Sequence, residues 1–113
     1  MAAPQLTPEQ QEDIQRFNQL IQQLEAIRLN LQQLEMEKRD TDNAINETKD
    51  LNPSAVIYRS AGRLLIQSTV EEVKKYLSEQ QEKIEVRLSS LDSREKKLVT
   101  SVKEIQEKLQ GKG

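Results

Sequence analysis

Few side chains in this sequence are of types that carry out covalent or proton chemistry. Cysteine and histidine are absent from all 113 residues, which removes the thiolate nucleophile, the imidazole base, a disulfide framework and every Cys/His zinc site. Tyr58 could act as a catalytic phenol, but no base, nucleophile or metal ligand accompanies it, so it reads as a strand residue packed by neighbours. Arg94, Lys96 and Lys97 could form a cationic patch for nucleic acid. Asp92 and Glu95 interrupt that run and no aromatic platform stands beside it, so a solvated helix face is the better account. No cofactor or metal is expected. The chemistry left to the chain is that of surfaces, where apolar residues are placed to meet another chain.

Composition agrees with that restriction. One domain of this length with 35% hydrophobic and 3% aromatic residues is poor material for a globular enzyme core. Charged residues make up 32% with a net charge of only -2, which describes mixed helix faces rather than a surface for nucleic acid. The start, Met1-Ala2-Ala3-Pro4-Gln5, has neither the basic residues nor the apolar run of a signal peptide, and no stretch approaches the roughly 18 consecutive apolar residues of a membrane span. A cytoplasmic protein without membrane contact is expected.

Two long amphipathic segments would position the apolar residues. The first, residues 7–51, opens on Thr7-Pro8-Glu9-Gln10, a capping box with Pro in the first helical position. Phe17, Leu20, Leu24, Ile27, Leu31, Leu34, Lys38, Thr41, Ile45 and Thr48 then recur at alternating steps of three and four, the spacing of a coiled-coil seam. Lys38, Thr41 and Thr48 weaken its second half. Asn52-Pro53 stops the helix, because Pro restricts the residue before it and cannot donate the next backbone bond.

The second segment, residues 69–110, opens on a further capping box, Thr69-Val70-Glu71-Glu72, with acids where the helix dipole favours them. Val70, Leu77, Ile84, Leu91, Leu98 and Ile105 recur every seventh residue, and Leu88, Val102 and Leu109 fill the interleaved position, where Lys74, Gln81 and Glu95 are exceptions. Glu35/Arg39, Glu71/Lys75, Glu79/Lys83, Asp92/Lys96 and Glu104/Lys108 are acid-before-base pairs four apart, each contributing about 0.3–0.5 kcal/mol. Residues 111–113 are expected to be a flexible tail. Two helices of matching length joined by a short connection should pair antiparallel within the chain, with both termini far from the connection. Parallel dimerisation through each seam is the competing arrangement. The matching lengths and explicit starts weigh against it.

The connection, residues 52–68, reads as a β-hairpin. Val56-Ile57-Tyr58 and Leu64-Leu65-Ile66 are strand-forming runs, and Ser60-Ala61-Gly62-Arg63 between them supplies a glycine suited to positive φ. Asn-Gly or Asp-Gly, the stronger hairpin signals, are missing. Both faces are rather apolar, whereas a lone two-stranded hairpin is barely stable in water. Hairpins from other subunits would pair its edges and cover its faces, making oligomerisation part of folding.

The run Tyr58-Arg59-Ser60-Ala61-Gly62-Arg63-Leu64-Leu65-Ile66, after Asn52-Pro53 and before a Glu/Lys-rich second helix, resembles the β-class subunits of prefoldin over about residues 7–110. The single hairpin matches the β class, since α-class subunits carry a longer linker with two hairpins. The resemblance implies a mainly α fold: a long antiparallel two-helix coiled coil whose one β-hairpin joins an oligomeric β-barrel platform. It further implies a hexamer of two α and four β subunits, from which the coils hang. Such a complex holds non-native polypeptides without ATP and passes them to a group II chaperonin. An archaeal source is preferred, for want of an extended tail.

For client contact, apolar residues near the chain ends are the candidates. Ile14, Ile21 and Val99 fall off the seam and are expected to stay exposed, and the frayed seam residues Phe17, Leu20, Val102, Ile105 and Leu109 join them. Several such tips acting together would give avidity from weak contacts. Val56, Ile57, Tyr58, Gly62, Leu64, Leu65 and Ile66 are the assembly candidates. Lys108 and Lys112 are candidates for chaperonin contact through the resemblance alone. Leu29 and Met36, seven apart off the first seam, read as ordinary exposed residues. A structural coiled-coil adaptor, or a prefoldin-like homo-oligomer or filament without chaperonin transfer, is the alternative. An interfacial membrane helix is disfavoured by the balanced charges.

Overall fold

The computed structural model of the protein describes residues 5–111. Four elements follow one another: α1 (Pro8–Thr48), β1 (Val56–Ala61), β2 (Leu64–Thr69) and α2 (Val70–Leu109). The chain divides into two compact units. One contains the residues up to Gln32 with those from Ser90 onward, and the other spans Gln33–Ser89.

In the first unit the start of α1 pairs with the end of α2, the antiparallel arrangement. The capping box forms in full: Thr7 N–H donates to Gln10 Oε1 at 2.9 Å and Gln10 N–H to Thr7 Oγ1 at 3.1 Å. Two of the amides that a helix start leaves free are thereby satisfied. Leu24, Ile27 and Ile105 are buried. Glu95, a polar residue at a seam position, meets Arg28 Nε of α1 at 3.1 Å. At the other end Gly111, expected as loose tail, has φ 77° and its N–H reaches Lys108 O at 3.1 Å, so it caps α2 in the left-handed conformation that glycine adopts freely.

In the second unit Leu34, Val70, Val73 and Ile84 are buried, and Val70 is fully enclosed. The polar seam residues of α2 again find partners on α1. Gln81 Nε2 donates to Asp42 Oδ1 at 3.1 Å. Lys74 Nζ donates to the Lys49 carbonyl at 3.1 Å, just past the end of α1, where free carbonyls and the helix dipole favour a cation. Each pair of numbers, 81 with 42 and 74 with 49, has the same total, as a fixed antiparallel register requires. Val73, three residues after Val70, takes the buried place beside Lys74 that the seven-residue repeat alone does not assign to it.

Helix α1 ends at Thr48, three residues before the expected Leu51. Thr48 Oγ1 donates back to the carbonyls of Ala44 and Ile45, at 2.9 and 3.1 Å, and the next amides bond three residues back in tighter turns. Asn52 Oδ1 accepts from Ser54 N–H at 3.0 Å, an Asx turn that reverses the chain. The carbonyls of Ala55 and Pro53 then accept the N–H groups of Val70 and Glu71, both at 3.1 Å. The loop therefore satisfies the first amides of α2 and seals Val70 beneath it.

The second capping box forms only by half. Glu72 N–H reaches Thr69 Oγ1 at 3.2 Å, but the Glu72 carboxylate accepts from Ser68 Oγ at 2.9 Å instead of turning to the Thr69 amide. Thr69 is at once the last residue of β2, opposite Val56, and the cap of α2, so strand passes into helix without a loop.

Candidate functional site

The hairpin is built from the turn outward. Gly62 has φ 60° while Arg63 does not take a positive φ; this leaves Gly62 at the first corner of a type II′ turn, whose twist suits flanking strands. The turn is thus the two residues Gly62-Arg63, and both strands are longer than the sequence runs suggested. A Gly-X pair is itself a hairpin signal, distinct from Asn-Gly.

Pairing is antiparallel, with Val56 opposite Thr69, Ile57 opposite Ser68, Tyr58 opposite Gln67, Arg59 opposite Ile66, Ser60 opposite Leu65 and Ala61 opposite Leu64. Alternation of side chains along strands then puts Val56, Tyr58 and Leu65 on one face and Ile57, Leu64 and Ile66 on the other. Val56, Tyr58, Leu64, Leu65 and Ile66 are exposed, Leu65 to 74%, and only Ile57 is half-buried. On the Ile57 face the Arg59 guanidinium stands 5.1 Å from the centre of the Tyr76 ring, a cation–π contact that ties β1 to the second turn of α2. Tyr76 has no place in the seam repeat, and its pairing with Arg59 carries no local sequence signal. Among the described residues the Val56/Tyr58/Leu65 face is left as an exposed apolar surface, and Leu64 and Ile66 on the other face stay exposed too.

The candidates at the chain ends are brought together in the first unit but are not left open. Ile14, Ile21 and Val99, expected to stay exposed, are half-buried, as are Phe17, Leu20, Val102 and Leu109, and Ile105 is buried. The correction has a simple cause. Ile14 and Ile21 stand three residues before Phe17 and Leu24, and Val99 three before Val102, so they widen the stripe on the side where the helices meet. Leu6 is the apolar residue left exposed there, while Leu29, and in the second unit Met36, Tyr76 and Val86, are also exposed.

Lys108 does not pair with Glu104 of its own helix. Its Nζ lies 3.3 Å from Glu9 Oε1 and 3.3 Å from Asp13 Oδ2, both on α1. These hydrogen bonds, to Glu9 and then Asp13, hold its pKa above the ordinary 10.5. Of the expected pairs four apart, Asp92–Lys96 forms, at 3.2 Å, and it is the only one of that spacing among the described residues. Lys112 lies outside the described residues. Among the described residues no group of three or more acids is placed to hold a metal ion, and no helix is long and apolar enough to cross a membrane.

A pair of long helices joined by a hairpin that cannot cover its own apolar face defines a subunit, a chain completed by other chains. The sequence profile of the prefoldin subunit matches residues 11–112. The chain is 32% identical over 106 residues to the prefoldin subunit beta of Methanosarcina acetivorans, and 34% identical over 106 residues to that of Archaeoglobus fulgidus; each alignment covers 94% of this chain and 91% of the relative. The crystal structure of the prefoldin beta subunit from Thermococcus strain KS-1 superposes with a TM-score of 0.84, at 28% identity and 96% coverage of both chains. The chain belongs to the prefoldin family, as a β-class subunit.

Proposed function

We propose that this chain is the β-class subunit of a cytoplasmic, ATP-independent molecular chaperone, which binds non-native polypeptides at the ends of its helices, prevents their aggregation and delivers them to a group II chaperonin. Its work is binding, not catalysis. The hairpin joins hairpins of other subunits, with an α-class partner in a complex of two α and four β chains. The observation that carries the assembly half is the uncovered Val56/Tyr58/Leu65 face. Exposed apolar surface of that kind on a two-stranded ribbon is stable in water only when further strands meet it.

For client contact the support is the gathering of Ile14, Phe17, Leu20, Ile21, Val99, Val102, Ile105 and Leu109 in one unit. Helix ends fray, and apolar side chains released by fraying meet the apolar surface of a non-native chain without need of sequence. Delivery to a chaperonin needs surface that is free in the loaded complex. Lys108 stays half-exposed beside α1 and remains the candidate for that contact.

The test is aggregation of a denatured protein in the presence of the assembled complex, without nucleotide. Suppression is expected, and a complex lacking residues 1–16 and 104–113 should assemble yet lose it. Equal suppression by the truncated complex would take client binding away from the chain ends. Native mass with and without an α-class subunit separates this reading from an adaptor or homo-oligomer, since only dimers in the mixture would end the platform reading.

A further inference from the structure

Lys108, in the last turn of α2, reaches across to two acids of α1. Glu9 is in the first turn of α1, and Asp13 is one turn further on. The lysine is half-exposed and Asp13 only 14% exposed, so the contact sits at the solvent edge of the seam. Beside it lie the apolar residues assigned to client contact. Ile14 and Phe17 follow Asp13 on α1, and Ile105 and Leu109 flank Lys108 on α2. While the helix ends stay together these side chains cover one another, Ile105 down to 6% exposure.

We infer that Glu9, Asp13 and Lys108 form an electrostatic clasp, which holds the two helix ends together and sets how much apolar surface they offer to a non-native chain. This rests on the client-binding reading above. Exposed ion pairs contribute little individually, but opening a helix terminus also costs little, so a small term decides how often the end is open. Three charges at the seam edge are screened by salt, the screening length falling from about 8 Å at physiological ionic strength to about 3 Å at 1 M. Salt should therefore open the clasp and promote apolar capture. A binding site that attracted clients by charge would respond with the opposite sign.

The experiment uses the full-length chain in its assembled state, as wild type, Lys108→Gln and Lys108→Arg, at low and high sodium chloride. Hydrogen exchange is followed at the amides of residues 11–17 and 104–110, together with the rate of capture of a denatured protein. Lys108→Gln should exchange about twofold faster at both helix ends and capture about twofold faster at low salt. Lys108→Arg, which keeps the charge, should behave as wild type, and the Lys108→Gln difference should close near about 1 M salt. Unchanged exchange at residues 11–17, on the helix opposite the substitution, would overturn the clasp. Faster exchange with unchanged or slower capture would overturn its control of binding. Failure of the client-binding reading shows separately, as capture that survives removal of residues 1–16 and 104–113.

Discussion

Leu65 of the hairpin is 74% exposed, whereas Ile105, near the end of α2, is 6% exposed. Both belong to groups of apolar residues proposed to meet other chains, and the difference between them is one of available neighbours. A two-stranded ribbon has two faces and two edges and no third strand to meet them. Arg59 and Tyr76 meet on one face, where Leu64 and Ile66 still stay exposed, and the other is open as well. A helix end has a second helix beside it, and apolar residues on the facing side bury against it. Hence the single chain presents the hairpin's apolar surface permanently, as the proposed assembly role would need. The chain ends present theirs only when they open, as the proposed transient contact with a client would need.

The largest effect should come from charging the exposed apolar residues of the hairpin. Tyr58→Asp or Ile66→Asp is expected to abolish assembly, because a carboxylate buried without a partner costs several kcal/mol. Helix content of the single chain should be unchanged, since both side chains are exposed in it. An intact oligomer from either variant, by native mass, would mean that the hairpin is not the interface. Next, Ile105→Ala should lower the unfolding free energy by about 2–5 kcal/mol, while Leu65→Ala shifts that of the isolated chain by no more than about 0.5 kcal/mol and weakens assembly instead. Chemical denaturation of both variants measures the contrast, and equal losses would erase it.

Sequence periodicity carried the helices, their antiparallel pairing and the hairpin, because caps, heptads and strand runs are local signals. What it missed was set by contacts between distant residues. The seven-residue repeat placed Lys74, Gln81 and Glu95 as exceptions but could not give their partners, Lys49, Asp42 and Arg28, which lie 25, 39 and 67 residues away. The strand runs located the exposed apolar residues of the hairpin. How these residues divide between the two faces followed only from the register, and the Arg59 contact with Tyr76 only from the fold. At the chain ends, counting Ile14, Ile21 and Val99 as off the seam assumed a narrow coiled-coil stripe. The helices meet over a wider one, and burial follows the wider count.

The two glycines of positive φ extend the comparison to the backbone. A methyl group at either Gly62 or Gly111 would meet open space beyond its immediate chain neighbours, so substitution there tests conformation alone. Gly62→Ala should cost about 1–2 kcal/mol, the penalty of an L-residue in the left-handed region, because both strands fix the turn. Gly111→Ala should cost less, since the last helical turn can fray to relieve the strain. Thermal unfolding of the two variants compares them, and a larger loss at Gly111 would show that the end of α2 is held as firmly as the hairpin.

The smallest effect concerns the charge at the chain ends. Hydrogen bonds to Glu9 and Asp13 raise the Lys108 pKa in the folded chain above the 10.5 of the unfolded one, so the folded state holds this proton more tightly. The stabilisation is therefore fully present below the unfolded pKa and is lost as pH rises through the higher folded value. The difference in exchange rate between wild type and Lys108→Gln, read at residues 11–17, should be flat from neutrality to about pH 10 after correction for the intrinsic rate, and should vanish above the folded pKa. On the hairpin, where Tyr58 and Leu65 have no such charged partner among the described residues, the same substitution should leave exchange untouched at every pH. A difference that appeared at the strands as well would mean that Lys108 acts on the whole chain rather than on its ends.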